Sequence, residues 1–283
     1  MAGASPNRDV FGAHLLDTIR GVLLDHSALF LSSGSDAAVK QLARVVHHAW
    51  IRLPVDSRPL LHDFAATSLT YAPAIMDMQH HELPSGCVLL RGAPGNQYLD
   101  APLYDCGHLK YHVIDCCIPA GYRAIPSNLS TSYELWSPQR AWAVQSRINP
   151  CPILFFQRSS WSGCRFGVPV EEVANGGVDL LHGDHRLYAL KDKTSLKIKM
   201  DWSGVRGQSG EKQIRGAKGS PLRNLNRLAK LTAGAVRKFM AGGGTTTTLE
   251  GLGEFTVRDV LLLGVIFVGD GAATPLLAVR MRD

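Results

Sequence analysis

The sequence predicts an α+β fold: a helical N-terminal part, a mainly antiparallel β core, then a basic arm and helix before a C-terminal β-hairpin. Three observations carry this reading. Apolar residues recur at helical spacing through the first part of the chain. From about Cys87 they fall into short runs punctuated by Gly and Pro. Basic side chains then concentrate in one segment near the C-terminal end.

The N-terminal part, 1–80, opens with Phe11, Leu15, Ile19, Val22 and Leu23 on one helical stripe. Ser35 is placed to cap a second helix with Val39, Leu42, Val46 and Trp50 on its inner face, and Pro54 stops it. A third helix is expected near Ser57, with Pro59 in its first turn and Leu60, Leu61 and Phe64 facing inward.

The core, 81–202, reads as strands at 87–90, 109–118, 153–156, 178–181, 186–190 and 196–200, with one short helix over 136–148. Residues 203–219 are Gly-rich and basic, with Val205 and Ile214 their largest apolar side chains, and are expected to form a mobile arm. Ser220-Pro221 is an N-cap followed by proline in the first turn. Leu225, Leu228, Thr232, Ala235 and Phe239 then make a helical stripe that Gly242-Gly243-Gly244 ends. Residues 203–248 thus form an arm plus an amphipathic helix. Two strands close the chain over 249–283, around the turn Gly269-Asp270-Gly271, and the four parts are expected to fold as one unit.

Composition excludes several classes. Of the 283 residues 45% are hydrophobic and 19% charged, enough to build a core. The longest apolar run, 260–268, is about half the roughly 20 residues of a membrane span. The first nine residues lack the basic-then-apolar order of a signal peptide, so a cytoplasmic or other intracellular location is expected. Six cysteines without a CxxC pair are too sparse for a disulfide scaffold and read as reduced, mostly buried thiols.

The net charge of +6 is local. Between Arg206 and Lys238 lie Arg206, Lys212, Arg215, Lys218, Arg223, Arg227, Lys230, Arg237 and Lys238 against Glu211 alone. That segment carries +8 and leaves −2 for the rest. Such a run suits phosphate backbones, RNA or DNA, through salt-dependent counterion release, and equally an anionic membrane surface. Aromatic interleaving of the kind that stacks bases is missing, so sequence-specific readout is not indicated. The competing reading is a helix docked by its apolar stripe with its charges merely solvated.

A second constellation is an ordered series. Leu89-Leu90-Arg91-Gly92 is followed by Ser130-Thr131-Ser132, and later by Glu171-Glu172-Val173. Over about residues 60–200 this resembles the R–S–E class of mono-ADP-ribosyltransferases, in which a strand ends in arginine, a second begins Ser-Thr-Ser and a later strand carries a paired acidic motif. The resemblance implies an NAD-consuming enzyme, with NAD as substrate for mono-ADP-ribosyl transfer or hydrolysis. It further implies that Arg91 pairs with the pyrophosphate, that Ser130, Thr131 and Ser132 brace the pocket, and that Glu172 is catalytic, stabilising the cationic ribose as nicotinamide leaves. The series departs from the pattern at Val170, which stands where the family has Glu or Gln two residues before the catalytic acid. That residue helps activate the acceptor, so hydrolysis survives its loss better than transfer does.

Cys106, His108, His112, Cys116 and Cys117 are soft metal-ligating types, but their spacing matches no common zinc module, and no metal is expected. His182-Gly183-Asp184-His185 reads as a turn between strands. Nucleotide-binding loops and the common hydrolase and metalloprotease signatures do not occur. Two classes therefore stand: an NAD-consuming enzyme, and a non-enzymatic nucleic-acid-binding or assembly protein of viral or phage structural type that works through 203–248.

Overall fold

The computed structural model describes residues 11–71, 83–84, 86–92, 99–106, 109–127, 148–158, 164–190, 193–202, 209–216, 222, 224–242, 247–249, 251 and 253–281. Four helices come first: α1 (Ala13–Val22), α2 (Ala28–Ser33), α3 (Ser35–Trp50) and α4 (Leu61–Ser68). Leu15 and Ile19 on α1 and Val39, Leu42 and Val46 on α3 lie within the core, Phe11, Val22, Leu23 and Trp50 pack partly buried against it, and Leu60, expected to face inward, is exposed. Gly34, at φ +82°, precedes α3, and Ser35 is its first helical residue. The third predicted helix begins later than expected, because 55–57 form a separate 3-10 turn. The short α2 was not expected. Ser27 caps it by accepting from Phe30 N at 3.2 Å, and Asp115, 86 residues away, accepts from Leu29 N at 3.1 Å.

Strands follow: β1 (Leu69–Tyr71), β2 (Cys87–Arg91), β3 (Tyr104–Cys106), β4 (Leu109–Cys116), β5 (Tyr122–Ala124), β6 (Ile153–Leu154), β7 (Phe156–Arg158), β8 (Cys164–Phe166) and β9 (Val168–Pro169). Helix α5 (Val170–Asn175) comes next, then β10 (Ser195–Asp201), β11 (Ser209–Arg215) and helix α6 (Leu225–Gly242). The chain ends with β12 (Thr247–Leu249), β13 (Gly253–Phe255), β14 (Val260–Gly269) and β15 (Ala272–Arg280). The result is the expected mixture of helices and mainly antiparallel sheet.

Two sheets organise it. One has the order β1-β2-β4-β3. The other runs β11-β10-β15-β14-β6, with β5 on β15 and β9 on β14. The C-terminal hairpin is the centre of this second sheet, so strands from three of the four sequence regions share it. Every residue of β14 is buried, as a strand covered on both faces requires. Gly264 lets β6 approach: a Cβ there would lie 2.5 Å from the Ile153 carbonyl oxygen. The pair β10–β15 is parallel. Helices α5 and α6 pack on each other and onto this sheet, whereas α2 contacts β4, β5 and β15.

Three expectations are corrected. Residues 209–215 are an edge strand, β11, paired with β10 along its whole length, and not part of a free arm. Residues 178–181 and 186–190 are not strands. Leu180 makes one isolated bridge to Gln157, the chain turns at His182 (φ 55°), and Tyr188–Leu190 is a 3-10 turn. The reason is local: Asn226 sits where a Cβ of Gly183 would stand, so this turn is folded against the start of α6. The helix after the arm begins at Leu225, and its cap is Asn224, whose Oδ1 accepts from Arg227 N at 2.9 Å. Ser220, Pro221, residues 136–147 and the arm outside 209–216 lie outside the described residues. Among the described residues, no helix is long and apolar enough to cross a membrane.

Candidate nucleic-acid interface

Helix α6 is amphipathic for a simple reason. Its inner face buries Leu225, Leu228, Ala229, Thr232, Ala233, Val236 and Met240, and its sequence contains no acidic residue. Arg227 lies three residues before Lys230, and Arg237 and Lys238 lie seven and eight residues after it, which puts them on one side of the helix. That stripe spans about 16 Å of helix axis at 1.5 Å per residue. Lys230 and Lys238 are exposed, whereas Arg227 and Arg237 are half-buried.

Beside the helix runs β11. Gly210 accommodates the Phe239 ring, which a Cβ would approach to 2.6 Å, and this contact docks the helix on the strand. Phe239 also meets Trp202 edge-on at 5.1 Å. The one aromatic of the basic segment is thus a packing residue. Lys212 and Arg215 are exposed on β11. Register separates them. Arg215 lies opposite Ser195 on the outer face with Lys197 and Lys199, and Lys212 lies opposite buried Ile198 on the face that carries α6. Glu211 is engaged by Lys197 (3.1 Å) and Lys199 (3.8 Å), so the segment's lone acid neutralises lysines of β10 instead of its own neighbours.

Among the described residues, none of Lys212, Arg215, Arg227, Lys230, Arg237 and Lys238 makes an ion pair. Arg215 donates to Gln213 Oε1 (3.1 Å), and Arg237 to Asn175 Oδ1 (2.7 Å). Lys230 reaches Gly176, which ends α5 in the left-handed conformation. Lys230 and Arg237 therefore lie over the C-terminal end of α5, where unpaired carbonyls favour positive charge. Arg206, Lys218 and Arg223 lie outside the described residues.

The second constellation is less gathered. Arg91 is the exposed last residue of β2, opposite Tyr111, and Gly92 follows it with its N–H bonded to the Lys110 carbonyl at 2.7 Å. A Cβ on Gly92 would come within 2.8 Å of the Leu103 side chain and 3.2 Å of the Lys110 carbonyl oxygen, so a larger residue there would require Leu103 to move. Glu172 is not on a strand. It is exposed in the first turn of α5, against the other sheet, beside Glu171, which pairs with Arg258 at 3.2 Å. Among the described residues, no hydrogen bond, ion pair or strand pairing joins Arg91 or its sheet to Glu172. Ser130, Thr131 and Ser132 lie outside the described residues.

His112 is fully buried on β4, its Nδ1 3.2 Å from the Pro102 carbonyl, and burial lowers its pKa to about 4, so it is neutral near pH 7. His108 and the Cys106 side chain lie outside the described residues, and among the described residues no three His, Cys, Asp or Glu side chains converge as a metal site. No protein-family model matches the chain, and no curated protein and no solved structure matches it either.

Proposed function

We propose that the protein binds the phosphate backbone of RNA or DNA through β11 and α6, as a nucleic-acid-binding or assembly protein without base-specific readout. One observation carries the reading: four cations on one stripe of an acid-free helix, with Lys212 beside them on the same face of the adjoining edge strand, and no ion pair to any of them among the described residues. Each phosphate such a cation neutralises releases condensed counterions, and that entropy drives binding. At 3.4 Å of axis per phosphate, the α6 stripe matches about five phosphates of one strand. The packed position of Phe239 argues against base stacking. Fluorescence anisotropy with labelled RNA and DNA of unrelated sequences tests this. Similar affinities for all probes at low salt are expected, and no binding at low salt overturns it.

A second reading, an NAD-consuming enzyme transferring or hydrolysing ADP-ribose, is favoured by Arg91. This residue ends a strand and is followed by Gly92, as is often the case in the mono-ADP-ribosyltransferases the chain resembles. In this reading Arg91 holds the pyrophosphate, Ser130 and Ser132 shape the nicotinamide-ribose pocket, and the Glu172 carboxylate stabilises the developing sugar cation. The placement of Glu172 on α5 does not by itself supply that geometry. Nicotinamide release from NAD, slowed in Glu172→Gln by about 2–4 kcal/mol of barrier, is the expected result. Equal release by both proteins, or none, rejects it.

A further inference from the structure

We propose that Cys87 and Cys116 are a modification site, the two halves of a cross-strand disulfide that staples β2 to β4 on oxidation. The two residues face each other in the antiparallel register of these strands. Their sulfurs lie 3.3 Å apart, and both side chains are buried. The neighbouring pair fixes the geometry. Cys117 N donates to the Gly86 carbonyl at 2.8 Å, so Gly86 and Cys117 form a hydrogen-bonded pair. Pairs alternate along an antiparallel ladder, which makes Cys87 and Cys116 a non-hydrogen-bonded pair, the kind whose Cα atoms are about 4.5 Å apart. That separation lies within the range a disulfide spans, and closing the sulfurs to about 2.05 Å takes side-chain rotation without moving a strand.

A third thiol, Cys117, is half-exposed at the same end of the ladder, and its Sγ would lie 3.0 Å from a Cβ at Gly86. Burial pushes the Cys116 thiol well above its ordinary pKa, so reaction follows local opening at this end and is slower than at an exposed thiol. With hydrogen peroxide as oxidant the step balances. One thiolate attacks the O–O bond, giving a sulfenic acid and, after proton transfer, water. The second sulfur then displaces the sulfenic oxygen as another water, forming the S–S bond. Two thiols lose two electrons and two protons, and one peroxide becomes two waters.

The test treats the native full chain with peroxide, blocks remaining thiols with N-ethylmaleimide, and maps non-reduced tryptic peptides by mass spectrometry. Tryptic cleavage leaves Cys116 and Cys117 in one peptide, so wild type and Cys117→Ser are compared. Cys117 lies outside the buried pair, so its replacement leaves that pair in place. The expected product in both is one cross-link between the Cys87 peptide and the Cys116 peptide, reversed by dithiothreitol and absent from Cys116→Ala. Loss of the cross-link in Cys117→Ser would overturn the assignment, because the bond would then belong to Cys117. Oxidation of Cys87 or Cys116 to sulfinic or sulfonic acid without any cross-link would overturn it equally.

Discussion

Asp115 is fully buried on β4 and accepts from Leu29 N (3.1 Å) and Cys116 N (2.9 Å) through one oxygen. Burial raises its pKa from 3.8 to about 7, against the pull of Ser27 and the backbone donors at Leu29, Cys116 and Ala28. The folded state therefore holds this proton more tightly than the unfolded chain. The carboxyl's contribution to stability is fully present below its unfolded value and is lost as pH rises through about 7. A shift of about three units corresponds to roughly 4 kcal/mol in total, of which about 3 kcal/mol falls between pH 5 and pH 8. Asp115→Asn keeps an oxygen acceptor for both amides and cannot ionise. Its stability relative to wild type should thus rise by about 3 kcal/mol from pH 5 to pH 8. Urea unfolding followed by tryptophan fluorescence at pH 5, 6, 7 and 8 measures this. The difference cancels the opposite trend of His48 and His112, whose burial lowers their values to about 4 in both proteins. A stability difference that stays constant across this range would refute the reasoning.

Further outcomes follow from packing and capping. Gly264→Ala drives a methyl group against the Ile153 carbonyl and should cost about 2–4 kcal/mol in urea unfolding, more than an exposed Gly→Ala such as at Gly271, where nothing stands within 4 Å. Leu262→Ala, in the middle of β14, should cost about 2–5 kcal/mol and lower the unfolding midpoint without changing the sheet content seen by circular dichroism. Asn224→Ala removes the side-chain cap of α6 and should cost about 1 kcal/mol, with Asn224→Ser restoring most of it.

Elements with a continuous apolar run or a helical period were legible, and those shaped by distant partners were not, for physical reasons. Strands β2, β4, β10, β14 and β15 announce themselves by apolar runs and by the Gly269-Asp270-Gly271 turn, and α3 and α6 by their period. The strand β11 gives almost no alternation, because Ile214 is its one buried side chain among those described and Gly210 is shaped by Phe239 from α6. The six-residue α2 owes its cap to Asp115 on a distant strand, which no local window contains. Helix α5 carries its own local signals, with acids in its first turn and Gly176 at its end, although the family pattern its acidic pair resembles lies on a strand. At the candidate site the identity of the cations was readable. That Glu211 serves Lys197 and Lys199 was not, because it depends on the register of β10 with β11.

The most direct test of polyanion binding compares wild type with the Lys212→Gln, Lys230→Gln and Lys238→Gln variant, three exposed cations on the α6 side whose loss leaves the core untouched. Affinity for one duplex DNA is measured over a series of salt concentrations. Wild type should show a steep linear fall of log affinity with log salt. The variant's slope should be shallower by about 2–3, near 0.9 for each phosphate contact removed, in a protein that still folds cooperatively. Equal slopes in the two proteins, or no binding by wild type at low salt, would contradict the account.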